Sequence, residues 1–381
     1  MPLMTPETPR EARSEDRSGS AARVLFLGIT YAGWRTRVSN LESQVRDDPR
    51  IAAAFRQITG WREGGVLERL PLLPRNLTGR ARAVLEAAAV VQWPRPDAIW
   101  TAAGAALTPY LWSQLGRLRR PMVLDLDWTL AQQEEWAPVY YRRQPKRGVR
   151  WSVARLQERA LWRSVTLLTP MSRWAAESLE RQGVDRSRIR IIPPGVDLTQ
   201  WRPTAKLNEG RLRLLFVGGD FWRKGGDLLI EAVRALPRSE YELDVVTQTT
   251  VEPVEGVRFH RAEANSPELR RLYAKADLFV MPSRADCLGI ATIEAMASGL
   301  PVIAGDVGGV RDLVSESETG WLVQPTVDSL VPALEAARRE RSTLPMMGRR
   351  ARARAEERFD ARKNAAAVID VILESIELHR S

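Results

Sequence analysis

"DCLGIATIEAMASGLPVIA" (residues 286–304) is the stretch whose reading decides the fold. An acid opens it at Asp286, a helix-forming apolar run follows, and a second acid stands eight positions later at Glu294. The run then breaks at Ser-Gly-Leu-Pro before another apolar segment. An ordinary strand–helix–strand unit satisfies this pattern. So does a unit that holds two carboxylates over a ligand at the mouth of a parallel sheet. On the second reading "LFVMPS" (278–283) brings the chain to a strand end, Asp286 precedes the helix beside its free N–H groups, and Glu294 lies further along. The two acids are spaced to touch different parts of an extended ligand, and carboxylates accept hydrogen bonds from sugar or ribose hydroxyls. A buried acid paired with an arginine is the alternative for Glu294.

Working outward, strand and helix patterns alternate on both sides. Upstream, "RVLFLG" (23–28), "PDAIWTAAG" (96–104), "PMVLDLD" (121–127), "VTLLTPMS" (165–172) and "RIRIIPPGVD" (188–197) read as strands. "RAVLEAAAVV" (82–91), "VARLQERALWRS" (153–164) and "RWAAESLERQGV" (173–184) read as helices, with a further helix beginning near Arg35. After the polar connector "DLTQWRPTAKLNEG" (197–210) the same grammar restarts with "RLRLLFVGG" (211–219), "GGDLLIEAVRAL" (225–236), "YELDVVTQ" (241–248) and "SPELRRLYAKA" (266–276). The expected class is α/β with two Rossmann-like doubly wound domains facing each other across a cleft, where ligands favour the carboxyl ends of the strands. The expected boundaries are a disordered leader at 1–22, an N-terminal domain at 23–193, a linker at 194–206 and a C-terminal domain at 207–358. A last helix within 359–381 is expected to cross back to the first domain.

Bulk properties fit this picture. The chain has 381 residues, enough for two cores, with 44% hydrophobic and 27% charged residues. A single cysteine, Cys287, excludes an intramolecular disulfide framework and points to a reducing, cytoplasmic compartment. The formal charge of +10 implies attraction to anions such as nucleotides or phospholipid headgroups. Two basic stretches carry much of it. "YYRRQPKRGVRW" (140–151) interleaves aromatics with base and is the candidate for peripheral contact with an anionic membrane at its inner face. "RRERSTLPMMGRRARARAEER" (338–358) reads as a solvated helix. No nucleic-acid reading motif is present, so nucleic acid is not an expected partner.

"FVGGDFWRKGGDLLIEAV" (216–233) is the second constellation. A strand ends at Gly218 and Gly219, a short loop carries Arg223 and Lys224, and a glycine pair opens a helix. Close backbone approach, a helix N-terminus and two cations suit a diphosphate. It is neither a Walker loop nor a G-x-G-x-x-G fingerprint. "GDVGGVRDLV" (305–314) adds a third glycine turn on the same predicted edge.

Together these pieces resemble the family 4 retaining glycosyltransferases of the GT-B fold, the glycosyl transferases group 1. "LLTPMSRWAAESLERQGVDRSRIRIIPPGVDLTQWRP" (167–203) is similar to the family's interdomain passage, with Ser172 in place. "FVGGDFWRKGG" is similar to its phosphate-binding segment, and 277–314 to its acid-x7-acid signature and the glycine turn beyond. The resemblance implies metal-independent transfer of a hexosyl group, with retention, from a nucleotide-diphosphate sugar to a hydroxyl acceptor. That acceptor is a glycan, a lipid-linked glycan or a small metabolite. The nucleotide sugar is a co-substrate, and no separate cofactor is implied. By the same resemblance Arg223 and Lys224 neutralise the departing diphosphate, Glu294 holds the ribose and Asp286 binds donor-sugar hydroxyls. Gly219 and the amides of Leu288, Gly289 and Ile290 then face the donor.

The chain departs from the family pattern twice. Its first signature acid is Asp286 where glutamate is usual, and its two histidines, His260 and His379, lie outside the N-terminal half, where many members carry one. "VLDLDWT" (123–129) instead places Asp127 at a strand end, with Thr129 nearby, as in a subset of the family. Asp127 is expected to contact the donor sugar or the acceptor hydroxyl, with a helix or turn cap as the alternative. A catalytically silent GT-B subunit that binds sugar or a partner is the competing function.

Gly28 and Gly33 are expected to floor the cleft. Cys287, Asp277 and Ser283 read as structural. Trp34, Trp112, Trp128, Trp136 and Trp151 read as packing, with stacking on a sugar or lipid acceptor the alternative.

Overall fold

A computed structural model describes residues 21–29, 33–58, 85–86, 95–106, 109–111, 120–142, 148–204 and 210–381. Two parallel sheets organise it. The first has strands β1 (Ala22–Ile29), β2 (Ile51–Ile58), β3 (Ala98–Ala102), β4 (Met122–Leu126) and β5 (Leu167–Pro170), in the order β2-β1-β3-β4-β5. The second has β6 (Leu212–Val217), β7 (Tyr241–Val246), β8 (Val257–His260), β9 (Leu278–Met281), β10 (Val302–Gly305) and β11 (Gly320–Val323), in the order β11-β10-β9-β6-β7-β8. β3, β4, β9 and β10 are buried along their whole length, as a parallel sheet covered on both faces requires. That double burial is why they read in the sequence as mainly apolar runs and not as alternating ones, with the buried Thr101 and Asp125 as the polar exceptions.

Each sheet has one point where the strand order reverses. In the first it lies between β1 and β3, and in the second between β6 and β9. Side chains leaving the carboxyl ends there have no crossover helix above them, so the crevice stays open to a ligand. The loop after β6 carries Arg223 and Lys224, and the loop after β9 carries Asp286. The chain reversal therefore brings the two sequence constellations together.

Several helices start where the sequence supplies a side-chain cap. Ser172 Oγ accepts from Ala175 N (3.2 Å) at the start of the helix Arg173–Arg181, and Ser266 Oγ accepts from Leu269 N (3.1 Å) before the helix Pro267–Lys275. The last helix, Ala361–Arg380, is capped by Asp360 and packs on β3, β4, β5 and the helix Gly33–Val45 of the first sheet. Backbone bonds from Val196 N to Phe359 O (2.9 Å) and Ala361 N to Val196 O (3.0 Å) fix its return path.

Two sequence expectations are corrected. Residues 188–197 form no strand. They run beside β5, donating from Arg190 N to Leu168 O (2.9 Å) and from Ile192 N to Pro170 O (3.0 Å), and then Pro193 and Pro194 remove the next two donors. The basic stretch at 338–358 is also not simply solvated. The helix Leu344–Arg358 buries Leu344, Met347, Gly348, Ala351 and Ala355. Its arginines tie loops together: Arg352 donates to Trp201 O (2.5 Å) and Ala297 O (2.6 Å), and Arg354 to Leu313 O (2.6 Å). A guanidinium satisfies carbonyls that a helix C-terminus leaves unpaired, so the charge is partly structural. Among the described residues, no helix is long and apolar enough to cross a membrane. Trp112, most of 82–91 and the leader to residue 20 lie outside the described residues.

Candidate active site

A cavity of about 1080 Å³ lies between the carboxyl ends of the two sheets. Its C-terminal wall is built from two glycine-opened helices. Gly225 precedes the helix Gly226–Arg234 in a left-handed conformation (φ +78°), and a Cβ there would meet Pro282 O at 2.2 Å, so only glycine lets the two loops touch. Gly289 (φ +92°) opens the helix Ile290–Ala297, which has no side-chain cap and no acid in its first turn. Thr292 N already bonds Gly289 O (3.0 Å), and the N–H groups of Ile290 and Ala291 are left for an anion.

Lys224 reaches across the switch point and pairs with Asp286, both largely buried. Burial lowers the Lys224 pKa, against which Asp286 acts. Arg223 donates to Ala285 O (2.9 Å) and Asp220 Oδ2 (3.3 Å), and its guanidinium lies 4.3 Å from the centre of the Tyr140 ring, which comes from the other half of the molecule. A reciprocal contact sets Arg142 4.3 Å from the ring of Trp222. Both cations at this wall are thus held in place before any ligand arrives.

Glu294 is buried in mid-helix, lines the cavity and accepts from Tyr273 Oη (3.0 Å). Its partner is therefore a tyrosine and not the arginine considered as the alternative. Burial pushes its carboxyl up to about 7, and the tyrosine only partly offsets this. The sign of the resulting pH dependence follows. The folded state binds this proton more tightly than the unfolded chain, so stability falls as pH rises from about 4.5 to about 7, by roughly 3 kcal/mol for this group. Glu294→Gln keeps the acceptor for Tyr273 and is expected to remove that slope, leaving the ligand-free protein more stable at pH 8. Urea unfolding at pH 5 and pH 8 reads it directly, and an unchanged difference between the two pH values contradicts it.

The opposite wall comes from the first sheet. Asp127, just past β4, is half-buried and faces the cavity. Burial pushes its carboxyl up to about 6; neighbouring Asp125 adds to this, while a hydrogen bond from the Trp34 side chain opposes it. Asp127 is not the helix cap: Thr129 takes that place, accepting from Gln132 N and sharing a 2.8 Å hydrogen bond with Ser178 Oγ. Cys287 is buried, and burial beside Asp127 and Asp286 holds its thiol well above its ordinary pKa, so it stays neutral.

Of the expected site residues, Gly33, Asp127, Gly219, Arg223, Lys224, Asp286, Leu288, Gly289, Ile290 and Glu294 all line this one cavity. Gly28 is not among the lining residues: a Cβ there would meet both Val38 methyl groups at 3.0 Å, so its small size serves packing of the helix Gly33–Val45 on β1. Asp277 is structural, paired with Arg213 (2.8 Å) and Arg341 (3.2 Å). Trp34 is buried but lines the cavity beside Asp127, and Trp136 stacks on Trp174 at 4.4 Å.

Several site residues escaped the sequence, and Trp128 was read there first as packing. Beneath Asp127, Arg37 makes a two-point ion pair with Asp125 (2.6 and 2.9 Å), and Thr169 Oγ1 donates to the same carboxylate (2.8 Å). Trp128, Tyr140 and Tyr141 cluster with ring centres 4.7–6.3 Å apart. Beside them Glu158 accepts from Leu130 N (2.8 Å) through Oε1, while its Oε2 has no partner among the described residues; burial pushes this carboxyl up to about 7. The two-residue spacing of Asp125 and Asp127 at a strand end was the available signal for the first group, since it places both on one face. Glu158 gave none, sitting in a helix with arginines around it.

Two parallel α/β sheets facing each other across a cleft at their carboxyl ends are the GT-B architecture. Family comparison agrees: "Glycosyl transferases group 1" matches residues 197–354 and "Glycosyl transferase 4-like domain" matches residues 10–195. The chain belongs to the group 1, family 4-like glycosyltransferases. It is 33% identical over 210 residues to a D-inositol 3-phosphate glycosyltransferase of Nocardia farcinica, covering 48% of this chain and 46% of that protein. The chain spans about half the length of the curated relatives it matches. Among solved structures it is similar to sucrose-phosphate synthase from Thermosynechococcus elongatus (TM-score 0.73, 19% identity, 93% of this chain and 98% of that one). It is also similar to Anabaena Alr3699/HepE in complex with UDP and glucose (TM-score 0.67, 17% identity, 93% and 100%).

Proposed function

We propose that the protein moves a hexosyl group, with retention of configuration, from a nucleotide-diphosphate sugar to a hydroxyl acceptor. The acceptor is a glycan, a lipid-linked glycan or a small metabolite. One observation carries this: Arg223, Lys224 and the uncapped N-terminus of Ile290–Ala297 converge on one wall of a cavity whose opposite wall holds a carboxylate and an aromatic cluster. Charge develops on the diphosphate as the bond to the sugar breaks, and fixed cations with helix amides stabilise it without reorganising. Glu294 accepts from the ribose hydroxyls. Asp286 holds Lys224 in place and accepts from the sugar. Leu288, Gly289 and Ile290 present backbone to the donor.

On the other wall Asp127 stands where the sugar and the acceptor hydroxyl meet. Near neutral pH its raised pKa leaves it mainly ionised while keeping it a competent proton acceptor. Glu158, with an unpartnered oxygen beside the Trp128–Tyr140–Tyr141 rings, suits a further acceptor hydroxyl, since a polyol offers both C–H faces for stacking and O–H groups for a carboxylate.

Product NMR with a nucleotide-sugar panel tests the proposal, an anomeric configuration matching the donor being the expected result. Asp127→Asn, nearly isosteric, is expected to lower kcat at least about 100-fold while leaving donor affinity within a few-fold. Full turnover by that variant contradicts the role of Asp127, and an inverted product contradicts retention.

A further inference from the structure

The helix Val149–Ser164 is amphipathic the wrong way round for its place in the fold. Its inward face carries Glu158 and the buried Trp162, and with Gln157 and Leu161 that face walls the cavity. Its outward face carries Val149, Val153 and Leu156, which are 80%, 44% and 63% exposed. Those positions are spaced by four and three residues, so they form one stripe along the helix. Eight large apolar side chains are exposed among the described residues, and three of them lie on this one helix. Isolated exposed apolar residues need no explanation, but a contiguous stripe does.

Charge identifies what covers it. Arg159 and Arg163 flank the stripe and are exposed, and the only acid of the helix, Glu158, is turned inward. A second copy of the chain placed face to face across a two-fold axis would bring these arginines against their own counterparts. An anionic lipid surface supplies both things the stripe lacks, an apolar layer for valine and leucine and negative headgroups for the arginines beside them.

We propose that the outward face of Val149–Ser164 lies in the plane of an anionic membrane and docks the first-sheet half of the molecule on it. The basic aromatic stretch at 140–151 is then divided between two tasks. Tyr140 and Tyr141 turn to the cavity, residues 143–147 lie outside the described residues, and the apolar contact is supplied further along by Val149, Val153 and Leu156. Because one helix both rests on the lipid and walls the cleft, an acceptor hydroxyl carried on a lipid would lie next to Glu158. This consequence rests on the proposed transfer reaction, whereas the docking itself does not.

Flotation of the full chain with vesicles tests it, using phosphatidylcholine alone and phosphatidylcholine with 40 mol % phosphatidylglycerol. Binding is expected only to the anionic vesicles and is expected to weaken with salt. Removing one surface arginine costs about fivefold in partitioning, so Arg159→Gln with Arg163→Gln is expected to lower it about 25-fold. Val153→Asp with Leu156→Asp is expected to abolish it. All four positions are at the surface, so nucleotide-sugar binding and the melting temperature are expected to stay unchanged, which separates loss of docking from loss of the donor site. Equal binding to both vesicle types, or anionic binding unaffected by both double variants, overturns the proposal. So does a vesicle-free dimer in light scattering that the Val153→Asp/Leu156→Asp protein cannot form, since the stripe then belongs to a second copy.

Discussion

Lys224→Ala is expected to lower kcat/KM for sugar transfer by about 10²–10³-fold, the loss that follows removal of one preorganised donor from developing charge, or about 3–4 kcal/mol. Lys224 is one of two largely buried cations at this wall. It pairs with Asp286 from the loop after β9, and burial lowers its pKa while that carboxylate works to keep it charged. The pair therefore has a signature that simple loss of a contact lacks. In Asp286→Asn the opposing carboxylate is gone, the lysine gives up its proton at lower pH, and the alkaline limb of the pH–rate profile moves toward neutrality. An alanine variant within threefold of the natural protein, or an alkaline limb that stays in place in Asp286→Asn, contradicts the assignment of Lys224 to the departing diphosphate.

The largest effect on stability is expected at the buried ion pair beneath Asp127. Asp125→Ala leaves the Arg37 guanidinium buried without its carboxylate, and breaking such a pair costs about 3–5 kcal/mol. That is a large part of the roughly 5–15 kcal/mol that holds an ordinary domain together. Thr169 Oγ1 keeps a second acceptor in Leu124 O (3.4 Å), so the loss falls mainly on the arginine. The double replacement Arg37→Met with Asp125→Leu is expected to recover most of it, because no buried charge then remains. Urea unfolding of the three proteins measures both numbers. A single variant within 1 kcal/mol of the natural protein shows that Arg37 finds another partner.

The parallel strands and the two-sheet architecture were legible because buried parallel strands leave apolar runs: Val24–Leu27 and Leu278–Met281 are unbroken, and Val123–Leu126 is interrupted only by Asp125. β2, β8 and β11 were not. β2 reads "IAAAFRQI" and β8 "VRFH", edge strands with partly exposed side chains, and propensity alone does not separate them from loop. The phosphate-suited wall was visible because glycines at Gly225 and Gly289 are forced by left-handed backbone, which leaves a mark in sequence. The opposite wall was mostly invisible. Tyr140, Tyr141 and Trp128 come together only through the fold of a short helix pair, Leu130–Glu135 and Ala137–Tyr141, and Glu158 joins them from a helix whose exposed arginines disguise its inward face. Arginine-rich helices near the C-terminus misled for a related reason, since composition cannot tell a guanidinium in water from one bonded to Trp201 O and Ala297 O.

The central claim is that the wall formed by Arg223, Lys224, Glu294 and the Ile290–Ala297 N-terminus binds a nucleotide-diphosphate sugar. Thermal unfolding in the presence of UDP-, GDP-, ADP- and dTDP-sugars tests it most directly, with Lys224→Ala and Glu294→Ala beside the natural protein. A ligand at about 100 times its dissociation constant stabilises the fold by about 2.7 kcal/mol. Stabilisation by one nucleotide class, lost in both variants, is the predicted result and identifies the base. No stabilisation by any of the four, or stabilisation that survives in both variants, contradicts it.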